Sequence, residues 1–155
     1  MKATRAIQML VDLKVPHEVR PYESDGFTSA MEAARKLGIP PGTMFKTLLA
    51  RGERRGIVLA MVPGDGALSL RKLAQAMADK RAEMVDPSEI SRLTGFVRGG
   101  VSPLGGKKPY PLFLDQSALR HPAICVSAGA RGLAILIAPS DLARVTRATV
   151  VDLLE

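Results

Sequence analysis

Lys46 lies inside the apolar run Met44–Leu49. In an extended chain alternate side chains point the same way, so Lys46 shares a face with Met44 and Leu48. Lysine is seldom buried without a partner. Either it sits at a strand end with its tip in water, or it places a cation on the floor of a pocket, aimed at a phosphate, carboxylate or carbonyl oxygen. The second reactive stretch is Gly99-Gly100-Val101-Ser102-Pro103-Leu104-Gly105-Gly106-Lys107-Lys108. Glycines let main-chain N–H groups approach a ligand closely and form anion-binding nests. Ser102 adds a hydroxyl, and Lys107 and Lys108 add charge. Such a loop can hold an RNA phosphate or stabilise an oxyanion; it can equally be an ordinary surface loop. It is not a P-loop, because no Gly-Lys-Ser/Thr sequence ends it.

The conventional catalytic sets are missing. His17 and His121 are the only histidines, and neither has metal-ligand spacing to a cysteine or a carboxylate pair. Cys125 could form a dyad with a histidine, but between Ile124 and Val126 a buried, inert thiol is expected. Gly129-x-x-Gly132 resembles a nucleic-acid clamp superficially, and a hairpin turn explains it. Tyr22 follows Pro21 at a strand end, half-buried with its hydroxyl in water. No metal and no organic cofactor is expected.

The elements that must position these residues can be read from period and punctuation. Residues 3–14 form an amphipathic helix, with Ala3, Ala6, Ile7, Leu10 and Leu13 on one stripe. His17–Tyr22 is a short strand. Ser29 and Glu32 form a capping box and Gly38 a C-cap, giving a helix over Ser29–Leu37. Met44–Ala50 and Ile57–Pro63 are strands joined by a polar hairpin loop. Ser69 caps a helix through Asp79, and Asp86-Pro87-Ser88-Glu89 starts a short one that ends at Thr94-Gly95. Arg98–Pro111 is loop. Leu112–Asp115, Ala123–Ala128 and Leu133–Ala138 are strands, the last two joined by the Gly129–Gly132 hairpin, and Ser140-Asp141 starts a closing helix.

Composition sets the frame. The 155 residues fit one α+β domain, residues 1–155, with no linker or repeat. Aromatics are 4% and tryptophan is absent, so the core must be built largely from aliphatic residues, and the composition speaks against binding single strands on many aromatic platforms. The formal charge of +7 favours a polyanionic partner, nucleic acid before an anionic membrane surface. A single cysteine permits no internal disulfide, which fits a reducing compartment. No apolar run approaches the roughly 20 residues of a membrane helix, and the N-terminus lacks a signal-peptide pattern. The chain is expected to be soluble and cytoplasmic.

At the same residues the sequence resembles the YbaK family, the prolyl-tRNA synthetase-associated domain, over nearly its whole length. Phe45-Lys46-Thr47-Leu48-Leu49 matches the family's aromatic-Lys-Thr-Leu-Leu segment. Gly99-Gly100-Val101-Ser102-Pro103-Leu104-Gly105 matches its Gly-Gly-x-Ser-Pro-x-Gly loop. Val126–Leu133 matches its late Ser-Gly-rich hairpin, and Lys80–Pro87 is also similar. The resemblance implies a mixed, strongly curved, barrel-like sheet flanked by helices. It implies a trans-editing aminoacyl-tRNA deacylase; the loop and Lys107-Lys108 look most like the branch that acts on Cys-tRNA(Pro) and Cys-tRNA(Cys), with alanine removal from tRNA(Pro) as the sister activity and a non-catalytic tRNA-binding module as the rival.

In that branch the proposed mechanism is substrate-assisted, the bound cysteine's thiol attacking its own ester. The resemblance carries over residue by residue. Lys46 would contact the terminal adenosine or the ester, and the N–H groups of Gly100, Val101 and Ser102 the carbonyl oxygen. Tyr22, Phe27, Thr47, Pro103, Ser127 and Gly129 would bind substrate. The partners implied are the acceptor end of aminoacyl-tRNA and prolyl-tRNA synthetase.

Overall fold

A computed structural model describes residues 3–155. Thr4 opens the first helix, α1 (Arg5–Asp12), its hydroxyl accepting from Ile7 N–H at 3.2 Å. The helix buries Ala6, Ile7 and Leu10. After β1 (Glu18–Pro21) comes α2 (Ala30–Leu37), capped by Ser29 and closed by Gly38 at φ 70°. Only glycine enters that left-handed region freely.

β2 (Phe45–Gly52) and β3 (Gly56–Pro63) form the expected hairpin, in register from Phe45↔Pro63 to Gly52↔Gly56. Ser69 caps α3 (Leu70–Met77), which leads into β4 (Ala82–Met84). Asp86 caps a 3₁₀ turn, Pro87–Glu89, that passes into α4 (Ile90–Thr94). The loop 98–111 then runs to β5 (Leu112–Asp115), followed by the hairpin of β6 (Ile124–Ala130) and β7 (Leu133–Ile137). α5 (Pro139–Thr146) starts one residue before Ser140, with proline in its first turn and no side-chain cap. β8 (Thr149–Val151) closes the order. β4 and β8 went unanticipated because three residues are too few to show alternation.

The strands make two sheets. β1-β7-β6 is antiparallel throughout. The other has the order β4-β2-β3-β5-β8, antiparallel on the β4 side and parallel at β3–β5 and β5–β8. The α+β class holds, but the strongly curved, barrel-like sheet does not. A barrel needs an unbroken ladder around its wall. Here the two sheets meet at a single bridge, Met44↔Cys125. β4 pairs with β2 only over Ala50–Gly52, and a bulge between Ser127 and Ala130 interrupts the β6–β7 ladder. The first half of β2 therefore keeps an open edge.

The main core lies where the sheets face each other, built by Phe45, Leu49, Met61, Leu114, Ile124 and Ile135 with Leu10 of α1. A second cluster joins Ala50, Val58, Ala60 and Val62 to Leu73 and Met77 of α3. Alternation along β2 thus sends odd and even residues to different cores. Buried Asp115 is matched by donors, Leu153 N–H at 2.8 Å and Ser117 N–H at 3.1 Å, as a desolvated carboxylate requires. No helix among the described residues is long and apolar enough to cross a membrane.

Candidate active site

The open edge of β2 borders a cavity of about 570 Å³. Its other walls are the N-terminal turn of α2, the connection from β4 into α4, and the start of the glycine-rich loop. This volume is in the range of pockets that take small ligands.

Lys46 projects from β2 at the cavity, half-buried, and shares its strand face with Leu48 and Ala50. Met44 precedes the strand and packs instead in a small cluster with Cys125, Ala33 and Ala34. Among the described residues no carboxylate lies within ion-pairing distance of Lys46; the six ion pairs are made elsewhere. The ammonium is therefore available to a ligand.

Thr47 is next. Leu49 O accepts from Val85 N–H at 3.1 Å, so the main-chain groups of Leu49 point away from β3. Successive residues of a strand turn these groups to opposite edges. Thr47, two residues earlier, therefore presents its N–H and C=O at the same edge, where β4 no longer runs.

A roof crosses the opening. Phe27 stacks on the Arg98 guanidinium, 4.8 Å from ring centroid to the central carbon. Arg98 is fixed from below, its carbonyl accepting from Arg131 Nε at 2.8 Å. Gly99 sits at φ 87°, and a Cβ there would come within 2.9 Å of Phe27 Cδ2. Only glycine allows the loop to pass under the ring.

Of the ten residues expected at the site, the structure gathers Lys46, Thr47, Tyr22, Phe27, Val101 and Ser127 around this cavity. The other four lie elsewhere. Gly100 packs against the main chain of Ala130 and Arg131, and its N–H is already bonded to Val97 O at 2.9 Å. Ser102 is buried, with its Oγ accepting from Leu104 N–H at 3.2 Å. Ser102 and Pro103 line a separate cavity of about 490 Å³ on the far side of the loop. Gly129 rests on Phe96 and donates its N–H to Ser127 Oγ at 3.2 Å, so it fixes Ser127 from behind. The N–H groups of Val101 and Ser102 have no acceptor among the described residues.

Residues 25–145 match the model of the aminoacyl-tRNA editing domain. The chain belongs to the aminoacyl-tRNA editing family. It is 40% identical to EbsC of Enterococcus faecalis, for which Cys-tRNA(Pro)/Cys-tRNA(Cys) deacylase activity has been proposed, over 92% of this chain and 88% of that one. It resembles, at TM-score 0.85 and 30% identity, a crystal structure of a protein proposed as a trans-editing enzyme for prolyl tRNA synthetase, covering 100% of this chain and 99% of that one. A proline–tRNA ligase of Thermotoga sp. is 32% identical over 57% of this chain and 16% of the ligase.

For an editing domain, the side chains absent from the wall are as informative as those present. No Cys, His, Asp or Glu lines the cavity. Cys125 is buried in β6 and desolvation pushes its thiol pKa up to about 11, so the thiolate needed for attack does not form near neutral pH. His17 is tied by Nδ1 to Val15 O at 2.8 Å. Burial also raises the Tyr22 hydroxyl above its ordinary pKa, with the Gly132 main chain opposing, which keeps it protonated. The wall thus offers cations, hydroxyls and N–H groups, but no nucleophile paired with a base. No group of three or more His, Cys, Asp or Glu able to hold a metal occurs among the described residues.

Sequence reasoning missed Arg98, Met31, Met84 and Ile90 as wall residues. Arg98 had one signal, its place immediately before Gly99-Gly100. The apolar three had none, because they reach the cavity from α2, β4 and α4 through tertiary packing alone.

Proposed function

We propose that the protein, acting as one unit over residues 1–155, is a trans-editing deacylase that removes cysteine from tRNA(Pro) and also acts on Cys-tRNA(Cys). The observation that carries this reading is a roomy cavity with an unpaired lysine and no protein nucleophile. The similarity to EbsC supports the same substrate.

The cysteinyl ester brings its own nucleophile. Its thiol sulfur attacks the ester carbonyl, a C–S bond forms, and the C–O bond to the terminal ribose breaks. The thiol proton leaves on the ribose oxygen, and the thiolactone released is opened by water afterwards. The protein has to hold the two reacting groups together, and intramolecular attack so arranged reaches effective molarities of roughly 10⁵–10⁸ M. Lys46 and the N–H of Val101 stabilise the charge that develops on the carbonyl oxygen. Tyr22 and Ser127 line the aminoacyl side, and Phe27 with Arg98 covers the acceptor end.

Such an enzyme has a reason to exist. Cysteine and proline are close in size, and one methylene of difference discriminates by only about 1–3 kcal/mol in a synthetase pocket. The tRNA is drawn in by the net positive charge, and its identity is supplied by docking on prolyl-tRNA synthetase. Parallel incubation with Cys-tRNA(Pro) and Ala-tRNA(Pro), following loss of the aminoacyl ester, tests the reading. Loss of cysteine alone is expected. Loss of alanine instead would move the protein to the sister activity, and loss of neither, with salt-sensitive binding, would make it a tRNA-binding module.

A further inference from the structure

Among the described residues, Thr47 Oγ1 is the one buried side-chain oxygen or nitrogen with no hydrogen-bond partner. A valine would have the same shape without the unpaired polar atom, so the hydroxyl is a cost to the fold. The residue lines the cavity, with the hydroxyl oxygen itself turned away from the open space. The other small hydroxyls there are engaged. Ser29 Oγ accepts from Glu32 N–H at 3.1 Å, Ser127 Oγ from Gly129 N–H at 3.2 Å, and Thr28 Oγ1 lies 2.8 Å from Ser24 Oγ.

On the aminoacyl side of the scissile ester, the substrate has one polar group that the proposed chemistry leaves without a partner. Lys46 and the Val101 N–H are donors and suit the carbonyl oxygen. The α-amino group is a donor too and needs an acceptor. No carboxylate lines the cavity, and two cations, Lys46 and Arg98, do. The acceptor must therefore be neutral. Thr47 supplies two at one place: its hydroxyl oxygen, and a main-chain carbonyl facing the unpaired edge of β2. The hydroxyl reaches a ligand by turning χ1 to another staggered well, while the carbonyl needs no rearrangement.

We propose that Thr47 is a specificity-determining residue that accepts hydrogen bonds from the α-amino group of the aminoacyl ester, and so orients the cysteine for attack by its thiol. This rests on the deacylase reading above. It also makes the free amino group, and not only the small thiol side chain, part of what the site recognises.

The test compares the wild-type chain, Thr47→Val and Thr47→Ser on two substrates, Cys-tRNA(Pro) and 3-mercaptopropionyl-tRNA(Pro). The second has the same thiol and ester but lacks the amino group. Thr47→Val is expected to lower kcat/KM about tenfold on the cysteinyl ester, the scale of one lost hydrogen bond to a polar group. On the desamino ester it should match wild type within about twofold, because the partner is already missing. Thr47→Ser should keep most of the activity, and Thr47→Val should melt no lower than wild type. Wild-type rates for Thr47→Val on the cysteinyl ester, or equal losses on both substrates, would overturn the inference. A wild-type chain inactive on Cys-tRNA(Pro) would overturn the deacylase reading itself, and this inference with it.

Discussion

β2 and the glycine-rich loop both border the cavity, and they do different work there. β2 is hydrogen-bonded to β3 along its whole length and anchors Phe45 and Leu49 in the main core. Its backbone is held by a rigid sheet, so the main chain of Lys46 and Thr47 is fixed at the cavity. The loop 98–111 has no strand of its own and is fixed by close contacts. Gly99 passes under Phe27, Gly100 lies on the β6–β7 hairpin, and Gly105 lies on the first turn of α1, where a Cβ would come within 2.7 Å of Ala6 N. The loop's glycines therefore act mainly through what they lack. One stretch supplies functional groups, while the other brings N–H groups and a roof to the right distance.

That contrast can be broken at several points. Lys46→Ala should leave folding intact and lower deacylation by roughly 10²–10³, the loss expected for one transition-state donor; kcat/KM beside a thermal melt checks both. Gly105→Ala should do the reverse. At φ 72° against the α1 main chain it should cost about 2–4 kcal/mol of stability and lower Tm by roughly 5–15 °C. Full activity below the transition is expected, and a normal Tm would show that the loop is not clamped as described.

Cys125 sharpens the comparison from the core side. Its pKa is raised from an ordinary 9.0 to about 11 in the fold. The folded chain keeps that proton while the unfolded chain releases it. The stability present below pH 9 is therefore lost as pH rises toward 11, on the order of 2 kcal/mol. Denaturant melts of wild type and Cys125→Ala at pH 8 and pH 11 should show their difference shrinking by about that amount, with deacylation at pH 7.5 equal in both. The smallest effect expected is for Phe27→Ala. An exposed cation–π contact is worth about 0.5–1 kcal/mol, so KM should rise about 2–5-fold with kcat and Tm nearly unchanged.

The same contrast explains what could be read in advance. Local signals located α2, because Ser29, Glu32 and Gly38 are punctuation that acts within a few residues, and the β2–β3 hairpin, because its apolar runs are long. They also placed Lys46 on a strand and the glycines in a loop. They could not tell which side of the loop faces the cavity; Ser102 and Pro103, expected at the site, line the second cavity. Nor could they show that the two sheets stay open, which depends on one bulge in β6 and on how far β4 pairs with β2. Arg98, Met84 and Ile90 reach the cavity from separate elements, and nothing in their spacing records it.

The central claim is that the cavity orients and stabilises while the substrate's own sulfur attacks. The direct measurement is the rate of ester loss from Cys-tRNA(Pro) against that from Ser-tRNA(Pro), which is close to cysteine in shape but offers a hydroxyl, a far weaker nucleophile, in place of the thiol. The account predicts rapid loss of the first and none of the second above the rate without enzyme. Equal rates on both would contradict it, because some other nucleophile would then be at work.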